Sequence, residues 1–566
     1  MYDTLIKNGT VVDGSGGPAK QADIAIQNGM IAALGSLDSR ARQSIDATGL
    51  TVTPGFVDIH THYDGQVSWD PYLAPSSLHG VTTAVMGNCG VGFAPVRESD
   101  RDWLIRLMEG VEDIPGTALS EGIQWQWQDF TEYLDTLASK RYTMDIAAQI
   151  PHGPLRTYVM GERGADHRVE PTVSEIEQMG RLVKEALAAG AVGFSTSRTV
   201  VHRSSDGQPI PCLSATPAEL LGIAKAMAEV NDGVFELVSD FAPMASELKL
   251  IRDIAHTSGR PVSIALTQVD EAPGQWREVL NDISRAREEG LDIRAQVAAR
   301  PVSVMMGLAG SAHFLMSSSA YHGFIALPLE ERLAVLRKPE VKSELLKTLD
   351  LSLLPSPMLY DWDHIYPFDE SLDYCPGPGQ SIAAQAETRG ITPESIAYDV
   401  LVAEGGRSYL YLTARNYSDR NHQAVRTMLA HEHSILGLGD AGAHCSVLCD
   451  ASVPTFLLTY WAQQAGEDCF ELPWLVYKLS KQPACAWGFT DRGEIRVGQR
   501  ADINLIDLAA LRLHSPAMVH DLPASGGRLM QGADGYVMTL VGGELVSENG
   551  RATGALPGRL LRRLTP

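Results

Sequence analysis

Eight short apolar runs, at 55–62, 81–89, 142–151, 191–197, 233–239, 261–268, 292–299 and 434–440, constrain this chain more than any other feature. Several of the gaps between them hold helical patterns. Val173 to Ala189, Pro217 to Val230, Ala245 to Thr257 and Gln275 to Glu289 all carry apolar residues at spacings of three and four. Strands alternating with helices predict a parallel α/β architecture, and eight of them predict a (β/α)8 TIM-type barrel. Such a barrel takes ~250 residues and places its chemistry at the C-terminal ends of its strands.

The chain ends read differently. Residues 1–53 alternate short apolar runs with Asn8-Gly9, Gly14-Ser15-Gly16-Gly17 and Asn28-Gly29, which are hairpin signals. The same texture returns only in Ala501 to Asp507 and Val537 to Val546. Residues 1–53 and 487–566 are therefore expected to build one small β-sandwich domain, with 54–486 forming the barrel. Within the barrel, 311–433 is more than a single connection. It has helical stretches around 328–349 and 392–404 and a loop rich in Pro, Asp and Tyr from Pro355 to Gly379. An insertion at this face commonly serves as a lid or an oligomer contact.

Composition narrows the function. With 44% hydrophobic and 20% charged residues the chain is an ordinary globular protein, and its net charge of -23 argues against a broad phosphate-binding surface and hence against nucleic acid. No apolar run approaches the roughly 20 residues needed to cross a bilayer. Met1 to Gly9 offers neither a basic leader nor an apolar h-region, so no membrane partner and a cytoplasmic address are expected. Seven scattered cysteines argue against a disulfide framework.

The chemistry starts at Pro54-Gly55-Phe56-Val57-Asp58-Ile59-His60-Thr61-His62. Side chains two apart on a strand share a face, so His60 and His62 point the same way where the strand ends. Two neutral ring nitrogens so placed are ligands for zinc or a similar metal. A bare His-x-His would more simply be two polar residues at a strand end. Gly80-Val81-Thr82-Thr83 downstream and Asp440 within Leu438 to His444 favour the ligand reading.

With Gly87-Asn88-Cys89-Gly90, Gly193-Phe194-Ser195-Thr196, Gly439-Asp440 and Gly498-Gln499-Arg500-Ala501-Asp502, the chain resembles the amidohydrolase superfamily, and within it the N-acyl-D-amino-acid deacylase group. The resemblance covers essentially the full length. It implies that His60, His62 and Asp440 hold a metal, that Asp440 shuttles the proton of the attacking water, and that Cys89 is a further ligand. It also implies zinc-dependent hydrolysis of an amide C–N bond in a small N-acylated molecule, an N-acyl D-amino acid above all. A homo-oligomer is reasonable for such a protein. The sequence departs from the group's pattern in lacking a histidine in Val234 to Asp240 and in Val262 to Gln268, and a lysine in Val192 to Ser197. One zinc per chain is the expectation, with Glu236 and Asp240 as lesser candidates to rebuild a second site.

Further residues fall at strand ends. His152, in Pro151-His152-Gly153-Pro154, is expected to line the site. His202 and Arg203 either meet an anionic substrate or form a solvated loop pair. Arg300 either grips a carboxylate with its planar fork or pairs with a nearby acid. His444 either orients Asp440 or the leaving group, or packs its loop. Cys445 and Cys449 read as packing residues. Two alternatives remain: a cyclic amide or imide hydrolase or deaminase of the same superfamily, and a barrel scaffold that has lost catalysis.

Overall fold

The protein is described by a computed structural model over residues 1–563. Each of the eight apolar runs holds one strand of a single parallel sheet, the fourth ending one residue past its run: β1 Phe56–Asp58, β2 Val81–Met86, β3 Asp145–Pro151, β4 Gly193–Arg198, β5 Val234–Ser239, β6 Val262–Ala265, β7 Ile293–Val297 and β8 Ser434–Leu436. Neighbours in sequence are neighbours in the sheet. Beyond the strands proper, Thr61 bridges Ala441 in parallel, and the His62 N–H donates to the Ala441 carbonyl at 2.8 Å. These contacts join the first and last strands, so the sheet closes on itself. β2 and β3 are buried along their whole length, as expected of strands covered on both faces.

The strands are shorter than the apolar runs that announced them. After Asp58, Met86 and Leu436 the chain leaves the sheet, and these exits carry His60 and His62, Cys89, and Asp440. Helices Val173–Ala188, Pro217–Val230, Met244–Ser258 and Gln275–Glu288 cover the outside, close to the expected bounds. Two have sequence-encoded starts: Thr172 and Glu175 form a reciprocal capping box, and Thr216 caps a helix that opens on Pro217. Among the described residues no helix is long and apolar enough to cross a membrane.

Both chain ends contribute to one further sheet. Tyr2–Val11, Lys20–Gln27, Met30–Gly35, Ala41–Asp46 and Thr51–Pro54 join Ile503–Ile506, Tyr536–Val541, Glu544–Glu548 and Arg551–Ala552. The seam is Thr51–Pro54 against Ile503–Ile506, antiparallel, with Thr53 opposite Asn504. In hydrogen bonding this is one continuous nine-stranded sheet. Its own core includes Ile6, Ile24, Val52, Ile503 and Leu540. The last described residues return to the barrel, where Gly558 bridges Tyr142 and Leu560 bridges Ile146.

The insertion begins directly after β7. Val302–Met306, Ile365–Phe368 and Tyr409–Arg415 form a three-stranded antiparallel sheet. Helices Leu329–Leu336, Pro339–Lys347, Ile382–Arg389 and Pro393–Val402 accompany it. Met306, Phe314, Leu333, Ile365, Tyr398 and Leu410 give it a separate hydrophobic core. Helix Gln423–Ala430 then leads back to β8.

Candidate metal centre

Four donor side chains meet at the exits of β1, β2 and β8. Asp440 Oδ1 lies 3.1 Å from His60 Nε2 and 3.5 Å from His62 Nε2, while Cys89 Sγ lies 3.3 Å from His60 Nε2. His60, His62 and Cys89 are buried and bring one donor atom each within 4.8 Å of the others. Asp440 keeps 19% of its side chain exposed. Backbone conformation helps to place two of the donors. Cys89 (φ 56°) and Asp440 (φ 41°) both occupy the left-handed region, which costs a non-glycine residue and is held only where the surroundings over-determine it. At Cys89 the surroundings are Gly87, where a Cβ would run into the Gln149 carbonyl, and Asn88, whose amide donates to the Thr61 and Val85 carbonyls at 3.0 Å.

A layer behind the donors fixes their orientation. Gln296, on β7, donates through Nε2 to Ser263 Oγ at 2.9 Å, which leaves Oε1 to accept from His60 Nδ1 at 2.8 Å. His60 Nε2 is thereby free to face the cavity. Glu112 Oε1 stands 3.4 Å from His62 Nδ1, and its Oε2 stands 3.7 Å from His444 Nε2. The His444 N–H also donates to the Glu112 carbonyl. Glu236, on β5, accepts the Cys89 N–H at 3.2 Å and leaves Oε1 buried without a partner.

Charge in this space is unbalanced. Burial raises Asp440, but hydrogen bonds and charge from His60 and His62 outweigh it and hold the carboxyl well below its ordinary range. Burial pushes Glu236 up to about 7 and drives Glu112 well above normal. Burial, then Glu236, Glu112 and Asp440, push the Cys89 thiol far up. Burial lowers His60, yet Asp440 brings it up to about 9; burial takes His62 down to about 4. Two imidazoles, a thiol and a carboxylate aimed at one point, with two more acids behind them, form a donor set that a divalent cation such as zinc fits. The cation would compensate the buried acids and favour the thiolate.

The donors open into a cavity of about 550 Å³. Of the other expected site residues, His202 and His444 line it, and His202 also meets Ser197 Oγ at 3.0 Å. Three candidates do not line the cavity: His152 departs from expectation, while Arg300 and Arg203 follow the second of their two alternatives. His152 is fully buried outside the cavity, held by Thr196 Oγ1 at 2.9 Å and Glu219 Oε1 at 3.1 Å, with Arg156 on the same carboxylate. Arg300 is fully buried on Asp450 at 2.8 Å and stacks over Tyr374 at 4.1 Å, so its charge is committed to the loop after β8. Arg203 bonds the Gly207 carbonyl within its own loop and does not line the cavity. Glu112 and Gln296 were missed. Glu112 ends helix Arg101–Glu112, which Leu104, Leu107, Met108 and Val111 announce by spacing; nothing local marks Gln296.

The amidohydrolase family model matches residues 43–547, a span that contains the whole barrel and this donor set. The chain belongs to that family. It is 26% identical over 569 residues to the D-aminoacylase of Alcaligenes xylosoxydans xylosoxydans, covering 99% of this chain and 98% of that one. The crystal structure of D-aminoacylase matches it with a TM-score of 0.66 at 23% identity over the whole of both chains. N-acyl-D-glutamate deacylase from Bordetella bronchiseptica, complexed with zinc and a phosphonate mimic of the tetrahedral intermediate, matches with a TM-score of 0.63 at 23% identity over 99% of each.

Proposed function

We propose that the protein hydrolyses the amide bond of an N-acyl D-amino acid, or a closely related N-acylated small molecule, with one zinc ion per chain. The observation that carries this reading is the convergence of His60, His62, Cys89 and Asp440 on one cavity. Those four residues would hold the ion. When bound, zinc would polarise the scissile carbonyl and lower the pKa of the attacking water.

The chain's own groups supply the proton chemistry. Asp440 is ionised at neutral pH and partly open to the cavity, so its carboxylate can take the proton of the attacking water and return it to the leaving nitrogen. His444 lines the cavity beside it and is tied to Glu112, which suits it to orient the leaving group. The two acids that could serve a second metal are each partly engaged. Asp240 is committed to the Val200 N–H at 2.8 Å, and Glu236 faces the Cys89 backbone. A cytoplasmic address belongs to the same proposal, supported by seven cysteines that are all unpaired.

The test is elemental analysis of wild type, Cys89→Ala and Asp440→Asn, with amine release followed on a panel of N-acyl-D- and N-acyl-L-amino acids. We expect about one metal in wild type, less in Cys89→Ala, and amine release reduced about 10²- to 10⁴-fold in Asp440→Asn. No amine from any member after zinc reconstitution would sink the deacylase reading. Two metals per chain would overturn the one-zinc part.

A further inference from the structure

Arg300, the cation that the sequence offered for a substrate carboxylate, is spent on Asp450, and Arg198 is held by both oxygens of Glu247. Among the described residues that line the cavity, the only Arg or Lys is Arg415. It belongs to the insertion rather than to a barrel strand. As the last residue of Tyr409–Arg415 it stands opposite Val302, which also lines the cavity.

The position is braced and the charge is loosely held. Asn416 donates its N–H to the Gln268 carbonyl at 2.9 Å and accepts the Gln268 N–H on Oδ1 at 2.7 Å, pinning the strand end to the loop after β6. The guanidinium itself makes a 3.3 Å bond to the Ala414 carbonyl and a 3.9 Å ion pair with Glu271, whose side chain is 75% exposed. So long and solvated a pair contributes little. Most of the planar fork is left for a ligand, and a carboxylate matches its geometry. Val200, Val201, Val238 and Phe241 give the same cavity an apolar wall.

We infer that Arg415 binds the free carboxylate of the acylated amino acid, making the insertion the element that selects acyl amino acids over neutral amides. The apolar wall receives the acyl group. The inference rests on the deacylase reading for its ligand class, and its test separates the two.

Calorimetry on the full chain with its native metal would compare N-benzenesulfonyl-D-leucine, which has no scissile carbonyl, with its primary carboxamide. Wild type should bind the acid about 10- to 100-fold more tightly, the range of a charge-assisted hydrogen-bond pair. Arg415→Gln should erase the gap. Arg415→Lys should restore part of it, because charge returns without the fork. Equal binding of acid and carboxamide by wild type, binding of neither, or a gap that survives Arg415→Gln would each overturn the assignment. Amine release from N-acyl amino acids is scored separately. A gap without turnover removes the hydrolysis and keeps Arg415; turnover without a gap does the reverse.

Discussion

Gln296 decides which nitrogen of His60 is offered to a cation, because its amide is already oriented by Ser263. Replacing it with Leu should leave the ring free to turn and Nδ1 unpaired. We expect Gln296→Leu to weaken zinc binding about 10- to 100-fold, measured by competition with a chromogenic chelator, with a fold like that of wild type by circular dichroism. Legibility at this scale follows from locality. His60 and His62 could be read together because strand parity ties them, whereas Gln296 and Glu112 reach the same point from a distant strand and from a helix end. His152 and Arg300 show the converse: sequence locates a strand end but not the direction in which the side chain leaves it. His152 turns to Glu219 on helix Pro217–Val230, and Arg300 turns to the loop after β8.

Elements are joined here by buried charge as well as by apolar contact. Asp145, on β3, has no exposed surface and receives Arg492 Nη1 at 2.7 Å, Arg500 Nε at 3.3 Å and the Arg559 N–H at 2.9 Å. One carboxylate thus fastens the barrel to the segment that leads into the terminal sheet. Removing it strands the nearly inaccessible Arg492 among fewer acids. Asp145→Ala should cost about 3–5 kcal/mol in chemical denaturation, while the folded fraction keeps its metal content. The strand and helix pattern of the barrel was legible because burial on both faces leaves continuous apolar runs. The terminal β domain was legible only as hairpin texture. That its strands form a single sheet depends on Tyr2–Val11 pairing with three partners, which no local signal encodes.

For the molecule as a whole, a cation held by donors at the exits of β1, β2 and β8 would tie the first and last strands of the barrel sheet together. An ion that binds the folded chain alone raises its stability by mass action, by about 4 kcal/mol when free ion is a thousandfold above Kd. Chelation should therefore lower the thermal midpoint, and added zinc should restore it. A midpoint indifferent to both would remove the cation from the site. The insertion was legible as surplus length, but its separate core and its delivery of Arg415 to the cavity are tertiary facts.

The seam between Thr51–Pro54 and Ile503–Ile506 also sets a schedule for biosynthesis. The first of these strands leaves the ribosome before the barrel does, and its partner follows only after the entire barrel has been translated. At bacterial-like elongation rates of roughly 5–20 residues per second, that flank stays unpaired for on the order of tens of seconds. A nascent or prematurely terminated chain therefore presents a bare hydrogen-bonding edge, the template on which strands of other chains add. Expression of this protein should depend on translation speed and on holdase chaperones more than its finished stability suggests.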